Sequence, residues 1–344
     1  MCLKRHIVLG KRLLFPAASV DDPRFAELDK LIAECKEFSR AEGTRRKYAN
    51  EFYRFEQWCN AHFLSALPAT PTTVQRYCAS LIAKAAEPTP SPVLNAVPAI
   101  AKFHQVRGYT NPCNSQMVRD FVEGVRRRYG KPPVQKEPLS PSLLQELLVS
   151  LLTRSLNRGT LENWELAFGL CLMFRAGSRF SETALLKRKD FDINDERVIV
   201  LFQKRKNDQR KQGHKVVIKS SDSPFSFLTI LRRYLLRLER SSEFSGNSFI
   251  LPAIKDGRFV HSKSVSYIEF YKRFKTAITN VNRDPERYGL HSPKVGAVVA
   301  LADGGADLRD VEARVGFAPN SGMAERYSRK SLKRNGDLDD ILSM

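Results

Sequence analysis

A short segment, Gly130-Lys131-Pro132-Pro133-Val134-Gln135-Lys136-Glu137-Pro138, constrains this chain more than any other. Proline lacks the backbone donor and its ring clashes with the preceding turn, so no helix runs through it. The segment reads as an extended basic strap, and it divides the 344 residues into two blocks, each long enough for its own core.

The first block, 29–129, reads as helical. Tyr48, Phe52, Phe55 and Cys59 recur at spacings of 4, 3 and 4, one face of a helix with Thr44 as its N-cap. That face reads as core rather than as a platform for stacked bases. Pro71 opens a second helix over 72–84, with Val74, Tyr77, Leu81 and Ile82 inward. After a proline-rich break, helices resume over 93–106 and 115–129, the last ending in Arg126, Arg127 and Arg128.

In the second block, Ser140 caps a helix that has Pro141 at its first position and buries Leu143, Leu144, Leu147 and Leu148. The apolar run 164–175 reads as a core helix. The β-branched runs 197–201 and 215–218 form a hairpin around a long polar loop. Helices follow over 224–238 and 267–281. The fold class expected is mostly α with a small β-hairpin or sheet, an α+β arrangement.

Charge narrows the function. Fifty-seven Lys and Arg against 37 Asp and Glu leave a net +20, a surface that repels itself unless it meets a polyanion. No run reaches the roughly 18 apolar residues of a membrane span, so nucleic acid is the expected partner and no membrane is. The six cysteines are scattered, with neither C-x-x-C nor zinc-ligand spacing to histidine, so they read as free thiols and no metal site is expected. Residues 1–28 read as a basic arm without a cleavable leader, which points to an intracellular protein located with DNA, in nucleus or nucleoid, and not secreted.

Four stretches of the second block carry the chemistry. They are Gly177-Ser178-Arg179-Phe180-Ser181-Glu182, the hairpin loop around Lys206, His291-Ser292-Pro293-Lys294, and Gly316-Phe317 followed by Tyr327. Arg179 to Lys206 spans 27 residues, His291 to Phe317 spans 26, and Phe317 to Tyr327 spans 10. In this order and spacing they resemble the catalytic boxes of the tyrosine recombinase (phage integrase) family: Gly-x-Arg-x-x-Glu, a hairpin Lys, His-x-x-Arg, Gly-His or Gly-Trp, and a final Tyr. The likeness extends to the first block, which resembles the family's helical core-binding domain.

The resemblance implies an arm (1–28), a core-binding domain (29–129), a linker (130–138), a catalytic domain (139–332) and an acidic-apolar tail (333–344). It implies double-stranded DNA as the partner, DNA recombination and integration through a covalent 3′-phosphotyrosyl intermediate, with no cofactor, and self-association on DNA as a tetramer. Arg179 would grip the phosphate and Glu182 would support it. Lys206 would protonate the leaving oxygen, His291 would transfer a proton, and Tyr327 would attack. Arg45, Arg46, Lys47, Arg126, Arg127, Arg128, Lys131, Lys204, Arg205, Arg210 and Lys211 are candidate phosphate contacts. Two positions depart from the pattern. Lys294 stands where the family has its second arginine, keeping charge but losing the bidentate fork, and Phe317 replaces a hydrogen-bond donor. The alternative reading is therefore a recombinase-derived DNA-binding protein with weakened cleavage.

Overall fold

The structure, a computed structural model, describes residues 25–38, 41–132, 135–152, 160–208, 213–221, 223 and 225–328. The arm up to residue 24, Arg210, Lys211 and the tail 333–344 lie outside the described residues. The chain divides into two compact units, 1–133 and 134–344.

The first unit contains α1 (Ala26–Phe38), α2 (Glu42–Ala61), α3 (Pro71–Ala83), α4 (Ser91–Val106) and α5 (Gln116–Tyr129). α2 buries Phe52, Phe55 and Cys59, as its spacing predicts, and leaves Tyr48 half-buried. It starts before Thr44: Ala41 is the N-cap without a side-chain bond, and the Thr44 amide already donates to the Ala41 carbonyl. Thr70 caps α3 through the Thr73 amide, and Pro71 fills the first turn, where its missing donor costs nothing. Phe52 stacks on Phe103 at 4.1 Å and 3°. His104 is fully buried, bridging α4 to the loop between α2 and α3: its Nε2 accepts from the Ala69 amide at 2.8 Å.

The second unit is built around α7 (Leu161–Ala176), buried along one unbroken stretch from Trp164 to Met173. A helix apolar on all sides needs cover on all sides. α6 (Pro141–Leu152), α9 (Phe227–Leu238), α10 (Tyr267–Asn280) and α11 (Ser292–Asp303) provide it. Ser140 caps α6 through the Leu143 amide. The short α8 (Phe180–Thr183) follows α7 directly. β1 (Phe191–Ile193), β2 (Arg197–Phe202) and β3 (His214–Lys219) form an antiparallel sheet in that order, and β4 (Pro252–Lys255) pairs with β5 (Arg258–Ser264). α12 (Leu308–Val315) and α13 (Met323–Ser328) close the unit, packing on α11 through Val298, Val311, Val315, Phe317 and Ala324. Part of the proline-rich segment belongs to this unit: Glu137 pairs with Arg287, and the Leu139 amide donates to the Ser292 carbonyl. The fold is therefore mostly helical with small antiparallel sheets, α+β as expected.

Candidate active site

α7 ends at Gly177, whose left-handed backbone (φ 56°) turns the chain sharply so that Arg179 heads α8. The Glu182 carboxylate closes that turn. It accepts from the Arg179 amide at 3.1 Å and from its guanidinium at 2.6 Å, and from the Lys206 amide at 3.2 Å. Glu182 thereby joins the arginine turn to the β2–β3 loop. Burial alone would raise its carboxyl, but the Arg179 amide and the charges of Lys294, Arg179 and Arg205 outweigh it and hold the group below its ordinary value. Arg179 keeps about a fifth of its side chain exposed, while Lys204 and Lys206 are exposed on the loop.

The opposite wall comes from α11 to α13. His291 is the residue before α11, and its Nε2 lies 3.1 Å from the Tyr327 hydroxyl. Tyr327, half-buried on α13, stacks on Phe317 at 5.9 Å and 19°. Gly316, again left-handed (φ 66°), ends α12 and releases the chain toward α13. Glu312 braces that loop, accepting from the Asn320 amide at 3.1 Å and the Ser321 hydroxyl at 2.9 Å.

Lys294 connects the walls. It is fully buried, donating to the carbonyls of Gly177 and Val315, with its ammonium 4.6 Å from the centre of the Phe317 ring. Burial pushes the ammonium down to about 7, with Arg179 and Arg205 adding to the fall and Glu182 opposing it. Contacts and close charges thus run from Arg179 through Glu182, Lys294 and Phe317 to Tyr327 and His291.

One candidate phosphate contact needs correction. Arg205 is only 2% exposed. Its guanidinium donates to the Ala176 carbonyl at 3.2 Å and reaches the Arg314 carbonyl at 3.5 Å, and it lies 4.2 Å over the Phe202 ring. Burial, partly offset by Glu182, lowers it to about 10. The loop folds inward at Arg205 because two helix C-termini offer carbonyls without helical partners there. The basic residues of the first unit fall on its surface. Arg46, Lys47, Arg126, Arg127, Arg128 and Lys131 are exposed, and Arg45 is half-buried. Lys47 reaches Asn95, Arg127 pairs with Glu123, and Lys131 pairs with Glu87.

Sequence reasoning missed Glu312, Arg314 and His214. Arg314 donates to the carbonyls of Val217 and Arg175, and His214 bonds to the Arg314 carbonyl, fastening the hairpin to α12. Only the nearness of Arg314 to Phe317 in sequence hinted at any of them. Among the described residues no cluster of His, Cys, Asp and Glu has the geometry of a metal site, and no helix is long and apolar enough to cross a membrane.

The architecture is that of solved tyrosine recombinases. It resembles the XerH site-specific recombinase in a post-cleavage complex with palindromic difH substrate (TM-score 0.60, 15% identity, 87% of this chain and 80% of that one). It also resembles a lambda integrase dimer bound to a COC′ core site (TM-score 0.51, 14% identity, 88% and 93%). Residues 142–334, more than half of the chain, match the phage integrase family model, and the chain belongs to that family. A curated relative, the integrase/recombinase xerD homolog of Selenomonas ruminantium, is 29% identical over 205 residues. That match covers 58% of each protein.

Proposed function

We propose that this protein is a site-specific DNA recombinase that cuts and rejoins duplex DNA through Tyr327. The reading rests chiefly on the 3.1 Å contact between the Tyr327 hydroxyl and His291, on a wall joined by contacts to the Arg179 turn. The phenol oxygen attacks a backbone phosphorus, forming a P–O bond to Tyr327 and breaking the bond to the 5′ oxygen. His291 takes the phenol proton, and Lys206 gives a proton to the departing 5′ oxygen. Arg179, held by Glu182, binds the non-bridging oxygens, whose charge grows in the transition state. The 3′-phosphotyrosyl link conserves the bond energy, and reversal onto a new 5′ hydroxyl rejoins the strand.

DNA complexes of the structural neighbours and the net +20 support duplex DNA as the substrate. Exposed Arg46, Lys47, Arg126, Arg127, Arg128 and Lys131 of the core-binding unit supply phosphate contacts that position the protein without reading sequence. Recombination joins two duplexes, so the working form is an assembly on DNA, a tetramer by family resemblance, acting inside the cell where DNA is held.

A second reading has its own observation. Lys294 and Phe317 are buried against each other, so two of the family's donor positions offer nothing to a phosphate. Each lost transition-state donor costs roughly 100- to 1,000-fold in rate, and the protein would then bind DNA and scarcely cut it. A nicked duplex that traps covalent product separates the two. Recombinase activity gives a denaturant-stable adduct that disappears in Tyr327→Phe. Tight, salt-sensitive binding with no adduct gives the second.

A further inference from the structure

The two departures from the family pattern form one device. α7 and α12 both end in left-handed glycines, Gly177 and Gly316, and the two turns touch: a Cβ on Gly177 would lie 2.4 Å from Val315 Cγ1. Helix C-termini present carbonyls without helical partners and a partial negative charge. Two buried basic side chains fasten these together. Lys294 bridges the Gly177 and Val315 carbonyls, and Arg205 bridges those of Ala176 and Arg314. The first turn leads directly into Arg179. The second leads through Phe317 to the helix bearing Tyr327.

We propose that Lys294 and Arg205 form a buried hydrogen-bonded staple that sets the Arg179 turn against the Tyr327 arm, so that Lys294 is a positioning residue and not a ligand of the DNA phosphate. This rests on the reading that Arg179 and Tyr327 act on a phosphodiester. The side chain of Lys294 has no exposed surface, and its ammonium is taken up by two carbonyls and an aromatic face. An ammonium caged this way gains from a ring beside it, which is what Phe317 supplies where the family has a donor. Lys294→Arg places a larger, planar group in a filled cage, and no gain in cleavage follows.

The test compares wild type with Lys294→Met, similar in length and uncharged, at a temperature where both are folded by thermal melting. Duplex binding is measured across salt, and single-turnover cleavage on a nicked duplex. The staple predicts an unchanged salt slope and a cleavage rate lower by on the order of 100-fold, the effect of a small misplacement of reacting groups. A slope smaller by about one, the signature of a lost phosphate contact, overturns it, as does cleavage at the wild-type rate. If Lys294→Met does not fold, amine acetylation of the wild type decides. Lys294 stays unmodified with and without DNA, while exposed Lys206 reacts in the free protein. Lys294 reacting in the free protein and becoming protected by DNA contradicts the staple. If wild type gives no adduct at all, the reading of the reaction fails, and the salt and acetylation arms still judge the staple.

Discussion

The first unit and the second keep different things in their interiors. Among the described residues, the first buries only Thr73 and His104 besides apolar side chains, whereas the second buries Glu165, Glu182, Asp190, Arg205, Lys294 and Glu312. Buried charge is expensive unless paired and hydrogen-bonded. A unit that carries so much of it holds geometry at the expense of stability. Glu182, Arg205, Lys294 and Glu312 gather around the turns that carry Arg179 and Tyr327. The first unit, by contrast, behaves as a plain apolar core with its charge on the outside.

The largest effect that sharpens this contrast is expected from Glu182→Ala. It removes the partner of Arg179 and the acceptor of the Lys206 amide in one step. Losing one side of a buried pair costs about 3–5 kcal/mol. Denaturant unfolding should show that loss, and cleavage should fall with it. Unchanged stability would mean that Glu182 is solvated in solution. Phe55→Ala, at the fully buried centre of the first unit, should cost about 3–5 kcal/mol and weaken DNA binding, leaving the Tyr327 site intact. If a nicked duplex at saturating protein shows slower cleavage of bound DNA, the units are not separable in this way.

A smaller effect concerns pH. Burial first, then the charges of Arg179 and Arg205, put the Lys294 ammonium at about 7, against the pull of Glu182. Partly buried His214 lies within the same field. Between about 7 and the ordinary lysine range, the unfolded chain holds a proton that the folded chain has released. Stability of the second unit therefore rises with pH across that window. Urea midpoints should climb accordingly in wild type, and less steeply in Lys294→Met. Identical slopes would place the ammonium in solvent.

Much of this was legible in the sequence, for physical reasons that differ by element. The Phe52, Phe55, Cys59 stripe declares a helix because one side alone is buried, and Pro71 and Pro141 mark first turns because their missing donors are idle there. The hairpin of β2 and β3 shows in its β-branched residues. β1 is three residues long and has no pattern to read. β4 and β5 carry no readable alternation although Asp256-Gly257, both at positive φ, is a hairpin turn: β4 is only four residues long, β5 is largely polar, and the Phe249 amide holds β5 through the His261 carbonyl. Arg179, Glu182 and Tyr327 stand in motifs set by local spacing. Arg205 and Lys206 are adjacent cations with opposite fates, and the carbonyls that draw Arg205 inward lie 29 and 109 residues away. No local pattern encodes that choice.

The proposed attack on a phosphodiester by the hydroxyl beside His291 leaves a covalent product. The most direct measurement traps protein on a nicked duplex, digests the denatured adduct, and identifies the modified peptide by mass spectrometry. Such an attack leaves a nucleotide joined through its 3′ phosphate to Tyr327. A link to another residue, or to a 5′ phosphate, would contradict it.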